Sequence, residues 1–258
     1  MNADEILTAL DLPINCRLDR RVPKKLLLEN GAPTAADKRR INEGIEEFFW
    51  IAALKPTTIG VPEYRDTERE YLEIAVLRLV LRAGAKTTRL LELVHRAVPY
   101  PLILIAEQTG QIGISAAHKR WAQNEAGKTV LDGEIVSTDC DGVQDAGFLP
   151  AFSATLALGR QMHASLYALY QSWVDVLLAL KAARVTGVYR LAANAGDAAA
   201  RRDALRECAR LDAEIARLRA AAAGEKQMPR QVELNSMIKK LNEQLAMNMD
   251  RLGGKVQT

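Results

Sequence analysis

The chain of 258 residues holds only three cysteines, Cys16, Cys140 and Cys208. Their number is odd, they lie far apart, and no CxxC pair occurs. A disulfide framework and a zinc ribbon are therefore not expected. The three histidines, His95, His118 and His163, are not at metal-ligand spacing. No Walker-type phosphate loop, GxGxxG turn, HExxH or GxSxG is present, so no cofactor is expected and an enzyme is not favoured. Charge of one sign is also lacking: the net formal charge is +3, without the concentrated basic field that nonspecific nucleic-acid binding needs. The opening MNADEILTALDLP is acidic at once and has no basic n-region or long apolar h-region, so a signal peptide is not expected. No apolar run reaches membrane-spanning length. A cytoplasmic protein that does not engage a membrane is the expectation.

What the chain does have is apolar material, at 48% of residues, enough for one large domain or two modest ones. The stretch Glu70–Arg82, EYLEIAVLRLVLR, organises the reading. Successive strand residues face opposite ways, which puts Ala75, Leu77, Leu79 and Leu81 on one face and Ile74, Val76 and Val80 on the other. Both faces are apolar at the centre, as in an interior strand covered on both sides.

Around it, residues 2–12 predict a short amphipathic helix with Ile6, Leu7 and Leu10 inward. Pro13, Pro23, Gly31 and Pro33 break the next stretch into loop and short elements. Thr34 with Asp37 three residues on predicts a capped helix start. EEFFWIAALKP predicts a strand, and 57–68 a loop. Thr87 or Thr88 opens a helix with Leu90, Leu91, Val94 and Val98 buried. PLILIAE, a turn at Thr109-Gly110 and IGISAAHKRW predict an antiparallel hairpin. KTVLDGEIV predicts one more strand. The polar stretch Asp139–Gly147 reads as a boundary, after which FLPAFSATLAL and SLYALYQSWVDVLLALKAARV read as helices.

The tail is the most regular part. Leu211, Ile215 and Leu218 continue a heptad spacing from Ala204, and Leu234, Ile238, Leu241, Leu245 and Asn248 repeat it. Gly224 and Pro229 break the two runs, which favours an antiparallel helical hairpin over one rod. These residues form a candidate seam, within the chain or with a partner. Together the pattern predicts an α+β fold: a mixed, mostly antiparallel sheet with flanking helices, followed by an all-α C-terminal part that ends in a coiled-coil-like helical hairpin. The expected parts are a sheet domain at 1–138, a helical segment at 139–195 and the hairpin at 196–258.

Candidate sites are few. Arg20, Arg21, Lys24 and Lys25 form a basic cluster, either a solvated surface or a contact for phosphate or an acidic partner. Lys119, Arg120 and Trp121 set two cations beside an indole, which suits a nucleic acid. The plainer reading has Trp121 capping the core while the two cations face water. Glu92 and His95 on one helix read as a surface hydrogen bond before an acid/base couple, and His118 as a partly buried structural histidine. The helix–strand order invites comparison with restriction-type nucleases, which need an Asp and a Glu-x-Lys to hold magnesium. Glu73 is on the central strand, but Ala75 stands where the lysine belongs.

The stretches LPINCRLDRRVPKKLLLENGAPTAADKRRINEGIE, LKPTTIGVPEYRDTEREYLEIAVL, HRAVPYPLILI, AHKRWAQNEAGKTVLDGE, LYALYQSW and EKQMPRQVELN together resemble the bacterial family called domain of unknown function 4391. The resemblance runs over nearly the full chain and brings no catalytic residues to carry over. It implies genes that sit beside DNA methyltransferases, helicases and restriction-type nucleases in defence islands. The expectation is a non-catalytic accessory or scaffold subunit of a restriction–modification-like antiphage system, acting through protein contacts. Its partners would be a methyltransferase, helicase or nuclease of the operon, or a second copy through the C-terminal helices. The alternative is a nucleic-acid-binding module of the same system, and a divergent metal-dependent nuclease using Glu73 is a minor one.

Overall fold

The computed structural model describes residues 1–123, 125, 127–140 and 142–253. Ile74–Leu81 (β5) is an interior strand of a six-stranded sheet. Its neighbours in the sheet are β1 (Arg17–Arg21), β2 (Ile45–Leu54), β6 (Leu102–Gln108), β7 (Gln111–Trp121) and β8 (Thr129–Asp139), in the spatial order β1-β2-β5-β6-β7-β8. Every neighbouring pair is antiparallel except β5 and β6, which run parallel. A parallel pair needs a crossover, and α5 (Thr87–Ala97) supplies it. The organising stretch is not one continuous strand. Glu70–Tyr71 (β4) pairs instead with Tyr64–Arg65 (β3) in a separate ribbon. The break falls at Glu73, whose buried carboxylate ion-pairs with Lys55 at 3.1 Å. The expected loop at 57–68 also holds part of a one-turn helix, α4 (Pro56–Ile59), besides β3.

The alternation of β5 decides the layers. Ala75, Leu77, Leu79 and Leu81 join Phe48, Leu102, Leu104 and Ala106 on one face of the sheet. Three helices cover that face: α2 (Lys24–Asn30) through Leu27, α3 (Ala35–Gly44) through Ile41, and α5 through Leu90, Leu93 and Val94. Within α5, Leu91 is only half-buried, while Leu93 and His95 are fully buried. The other face carries Arg78, whose guanidinium reaches Asp4 of α1 (Ala3–Ala9). Helix α1 is opened by a capping box between Asn2 and Glu5 and buries Ile6, Leu7 and Leu10.

Further along, α6 (Leu149–Leu156) is followed by α7 (Leu166–Thr186). Tyr170 of α7 donates to the Leu102 and Ala117 carbonyls and accepts from the Ala117 N–H, tying the helix to β6 and β7. Trp173 donates to the Leu156 carbonyl. The β6–β7 turn has positive φ at both central residues, Thr109 at 49° and Gly110 at 80°, as a two-residue hairpin turn requires. Each edge strand is bulged. Strand β1 has an extra residue between Arg17 and Arg20, with Asp19 at φ 46°. Strand β8 has two between Asp132 and Val136, with Gly133 at φ 83°.

By contacts the chain divides into Met1–Leu177 and Leu178–Thr258, and the division falls inside α7. In the second unit α8 (Ala195–Gly224) and α9 (Met228–Leu252) form an antiparallel hairpin. Asn194 caps α8 by accepting the Asp197 N–H, and Pro229 sits in the first turn of α9. Ala182 and Val185 pack with Cys208, Leu245 and Leu252 at the open end of the hairpin.

One ionic contact joins α3 and α5. Asp37 accepts from Thr34 at its own helix start, from Arg40 one turn on, and from both Nε and a terminal nitrogen of Arg89 on α5. The Arg89 bonds above all, with Thr34 and Arg40, hold the Asp37 carboxyl far below the usual carboxylate range. A depressed folded pKa gives stability that is complete above the unfolded pKa, about 4, and is lost as pH falls. Asp37→Asn is therefore expected to lower stability at neutral pH and to flatten its acid decline below about pH 4. Urea unfolding of both proteins across acid pH checks this, and identical acid slopes would refute it.

Candidate functional site

Lys119 is the residue the structure moves furthest from its expected role. Alternation along β7 puts Ser115, Ala117 and Lys119 on the face under α5. Lys119 is 1% exposed there. Its ammonium donates to the carbonyls of His95 and Val98, at 2.9 Å for Val98. These groups end α5, where carbonyls lack intrahelical partners and the helix dipole favours a cation. Burial pushes the amine down to about 8. Lys119 is a helix cap rather than a surface contact for nucleic acid. Lys24 does the same at a second helix end, donating to the Asn42 carbonyl in the last turn of α3 and to the Ile45 carbonyl just past it. Its pKa is also lowered, first by burial.

The histidines hold structure. His95 is fully buried and its Nε2 lies 2.9 Å from the Ser115 hydroxyl. It does not pair with Glu92, whose carboxylate meets Arg89 and Arg96 instead. Burial, and then the Lys119 charge, pushes His95 down to about 3, so it is neutral at pH 7. His118 Nδ1 lies 2.6 Å from the Tyr71 hydroxyl, which also accepts from the Lys119 N–H. Tyr167 and Tyr170 pack on the same two rings, at 5.2–5.3 Å from His118. Tyr64 stacks on Tyr167 at 4.9 Å, and Arg69 lies over that ring at 6.0 Å while pairing with Asp132 at 2.7 Å. This cluster joins β4, β7 and α7. His163 lies 3.0 Å from the Leu158 carbonyl.

The β1 half of the first basic cluster lies far from the second. Arg20 and Arg21 lie on edge strand β1, and Arg120 and Trp121 on β7, four strands across. At about 4.8 Å per strand the separation is roughly 19 Å. Arg21 pairs with Glu47, and Lys25 with Glu29. What does meet Arg120 is Arg96 and Lys128, in a groove of about 570 Å³ that Glu29 also lines. Trp121 lies half-buried in an adjoining groove with Arg120, Gln123 and Asp132. These cations already have carboxylate neighbours: Glu92 for Arg96, Glu125 for Lys128 and Asp132 for Arg120. Sequence reasoning missed Arg96 and Lys128 because only the fold brings them to β7. Glu73, the candidate nuclease carboxylate, is 9% exposed and held by Lys55. Among the described residues no group of three His, Cys, Asp or Glu side chains is placed to hold a metal ion.

The candidate seam residues lie along the hairpin. Leu211, Ile215 and Leu218 of α8 are buried. Leu234, Ile238, Leu241, Leu245 and Asn248 of α9 are only half-buried, and Met237 between them is 50% exposed. The Asn248 amide donates to the Gln244 carbonyl one turn back.

The model of the family described as domain of unknown function (DUF4391) matches residues 10–245. The chain belongs to this family. No curated protein and no solved structure matches it. The match begins after α1 and ends near the last turns of α9, so the family pattern takes in both the sheet and the hairpin. Among the described residues no helix is long and apolar enough to cross a membrane.

The Lys119 cap has a measurable signature. Its folded pKa, about 8, lies below the unfolded value of about 10.4. Between the two the unfolded chain binds more protons, so raising the pH stabilises the fold. Wild type should gain up to about 3 kcal/mol over Lys119→Met between pH 8 and 10.5. Paired urea titrations measure the difference, and a gap that stays constant or narrows with rising pH would refute the buried amine.

Proposed function

We propose that the chain is a non-catalytic subunit of a restriction–modification-like defence assembly and works by protein–protein contact. The observation that carries this is the asymmetry of the hairpin. Helix α8 buries its apolar seam, whereas α9 leaves Leu234, Ile238, Leu241 and Leu245 half-covered and Met237 exposed. Helix packing normally covers such a stripe, because burial of apolar area is the main favourable term in association. The kind of assembly rests on the gene neighbourhood that the family resemblance implies: a DNA methyltransferase, a helicase or a restriction-type nuclease. The non-catalytic reading draws support from the side chains that usually carry chemistry. His95 and Lys119 are buried against backbone and hydroxyl groups, and Glu73 and Asp37 are held by cations.

The test is recovery of partners. The tagged full chain, co-expressed with the proteins encoded beside it, is expected to retain a methyltransferase, helicase or nuclease after nuclease digestion. Recovery of nucleic acid alone, or of partners released by digestion, would overturn the reading and move the function to the groove of Arg96, Arg120, Lys128 and Trp121.

A further inference from the structure

Positive charge in the first unit is mostly spent locally: most of its lysines and arginines meet a carboxylate. Among the described residues of that unit, those that do not are Arg17, Arg20, Lys24, Lys38, Arg82, Lys86, Lys119 and Arg160. Lys24 and Lys119 are held by helix-end carbonyls. Of the rest, all but Arg160 lie on β1, on α3 or in the loop from β5 into α5. These elements meet at Gly44, the last residue of α3. The Arg82 N–H donates to the Gly44 carbonyl at 2.9 Å. A Cβ at this position would lie 2.8 Å from a Leu90 methyl and 3.3 Å from the Ala85 methyl, so glycine is what lets the loop come this close. Lys24 reaches the next carbonyl, that of Ile45. Burial, then the charges of Arg82 and Arg21, push the Lys24 amine down, against the pull of Glu46. Cations far apart in the chain therefore stand within reach of one another at this corner of the sheet.

Cations without partners project a field that an anionic surface can answer. Two features decide which kind. Leu18 and Leu26, 43% and 49% exposed, lie among these cations along the chain, and a phosphate backbone has no apolar surface to cover them. Asp19 and Glu46, both exposed, also stand among the cations, where a uniform line of phosphates would be repelled. A protein surface meets neither obstacle, since it can set carboxylates against the cations and apolar groups against the leucines. We propose that this corner docks an acidic, amphipathic surface of a partner protein, with Arg20, Arg82 and Lys86 as its main charges and Leu18 and Leu26 as its apolar contacts. The inference rests on the protein-contact reading above and gives the first unit a contact surface of its own. Exposed charges of this kind act chiefly on the rate of encounter, so association weakens as salt rises.

The probe is a synthetic amphipathic helix of glutamate and leucine, labelled and titrated with the full chain by fluorescence anisotropy. A short DNA duplex is titrated in parallel. The helix is expected to bind, more weakly at high salt, and R20E/R82E/K86E should weaken it at least about 10-fold. All three side chains are exposed and make no ion pair, so the variant keeps the circular dichroism of the wild type. Arg160→Glu reverses an unpaired cation away from the corner and should bind as wild type does. A helix that does not bind, or that binds the triple variant equally well, overturns the proposal. So does a duplex that binds more tightly than the helix and is lost in the triple variant, which would give the corner to nucleic acid. Failure here and failure of the defence-subunit reading are separable. An operon partner retained equally by R20E/R82E/K86E refutes the corner and leaves the assembly standing. A chain that binds the helix through the corner but retains no operon partner refutes only the assembly.

Discussion

The structure depends on closing the far end of one helix. The parallel pair β5–β6 exists only because α5 crosses the sheet between them. That crossing buries the C-terminal carbonyls of α5 against strands, where water cannot reach them. Lys119 answers with an ammonium on His95 and Val98. A lysine so deep in a core is costly, yet it satisfies groups whose loss would cost about as much. The arrangement recurs in smaller form where Lys24 meets the end of α3. Asp37, clamped between Arg40 and Arg89, ties α3 to α5 by ion pairs, while the two lysines hold helix ends through backbone carbonyls.

The same economy explains why the first unit offers little free chemistry. The Tyr71–His118 contact, the Tyr170 hydroxyl and the His95–Ser115 pair each join two elements of secondary structure. On the hairpin, the α8 seam is covered while the α9 seam is only half-buried.

Much of the fold was legible because periodicity records burial. The alternation in Ile74–Leu81, the Thr34 cap, the Thr109-Gly110 turn and the break at Gly224–Pro229 all appear as such. Lys119 was not legible from its own identity, since a lysine near a strand end is ordinarily solvated. The signal lay in its neighbours: Ser115 and Ala117, two small residues on the same face, leave room for a helix end above. His95 was obscured in a similar way, because its nearest carboxylate in sequence, Glu92, belongs to the arginines. Arg96 and Lys128 lie 24 and eight residues from Arg120 in the chain, and a local reading has no means of bringing them together.

The bulges in β1 and β8 bear on assembly in another way. An unpaired edge strand is a template for a foreign strand, and both outermost strands of this sheet carry one. Asp19 and Gly133 turn the backbone out of register at each edge, so an incoming strand would lose its ladder within a few residues. Both rims are thus shielded against runaway polymerisation and against β-augmentation by a guest peptide.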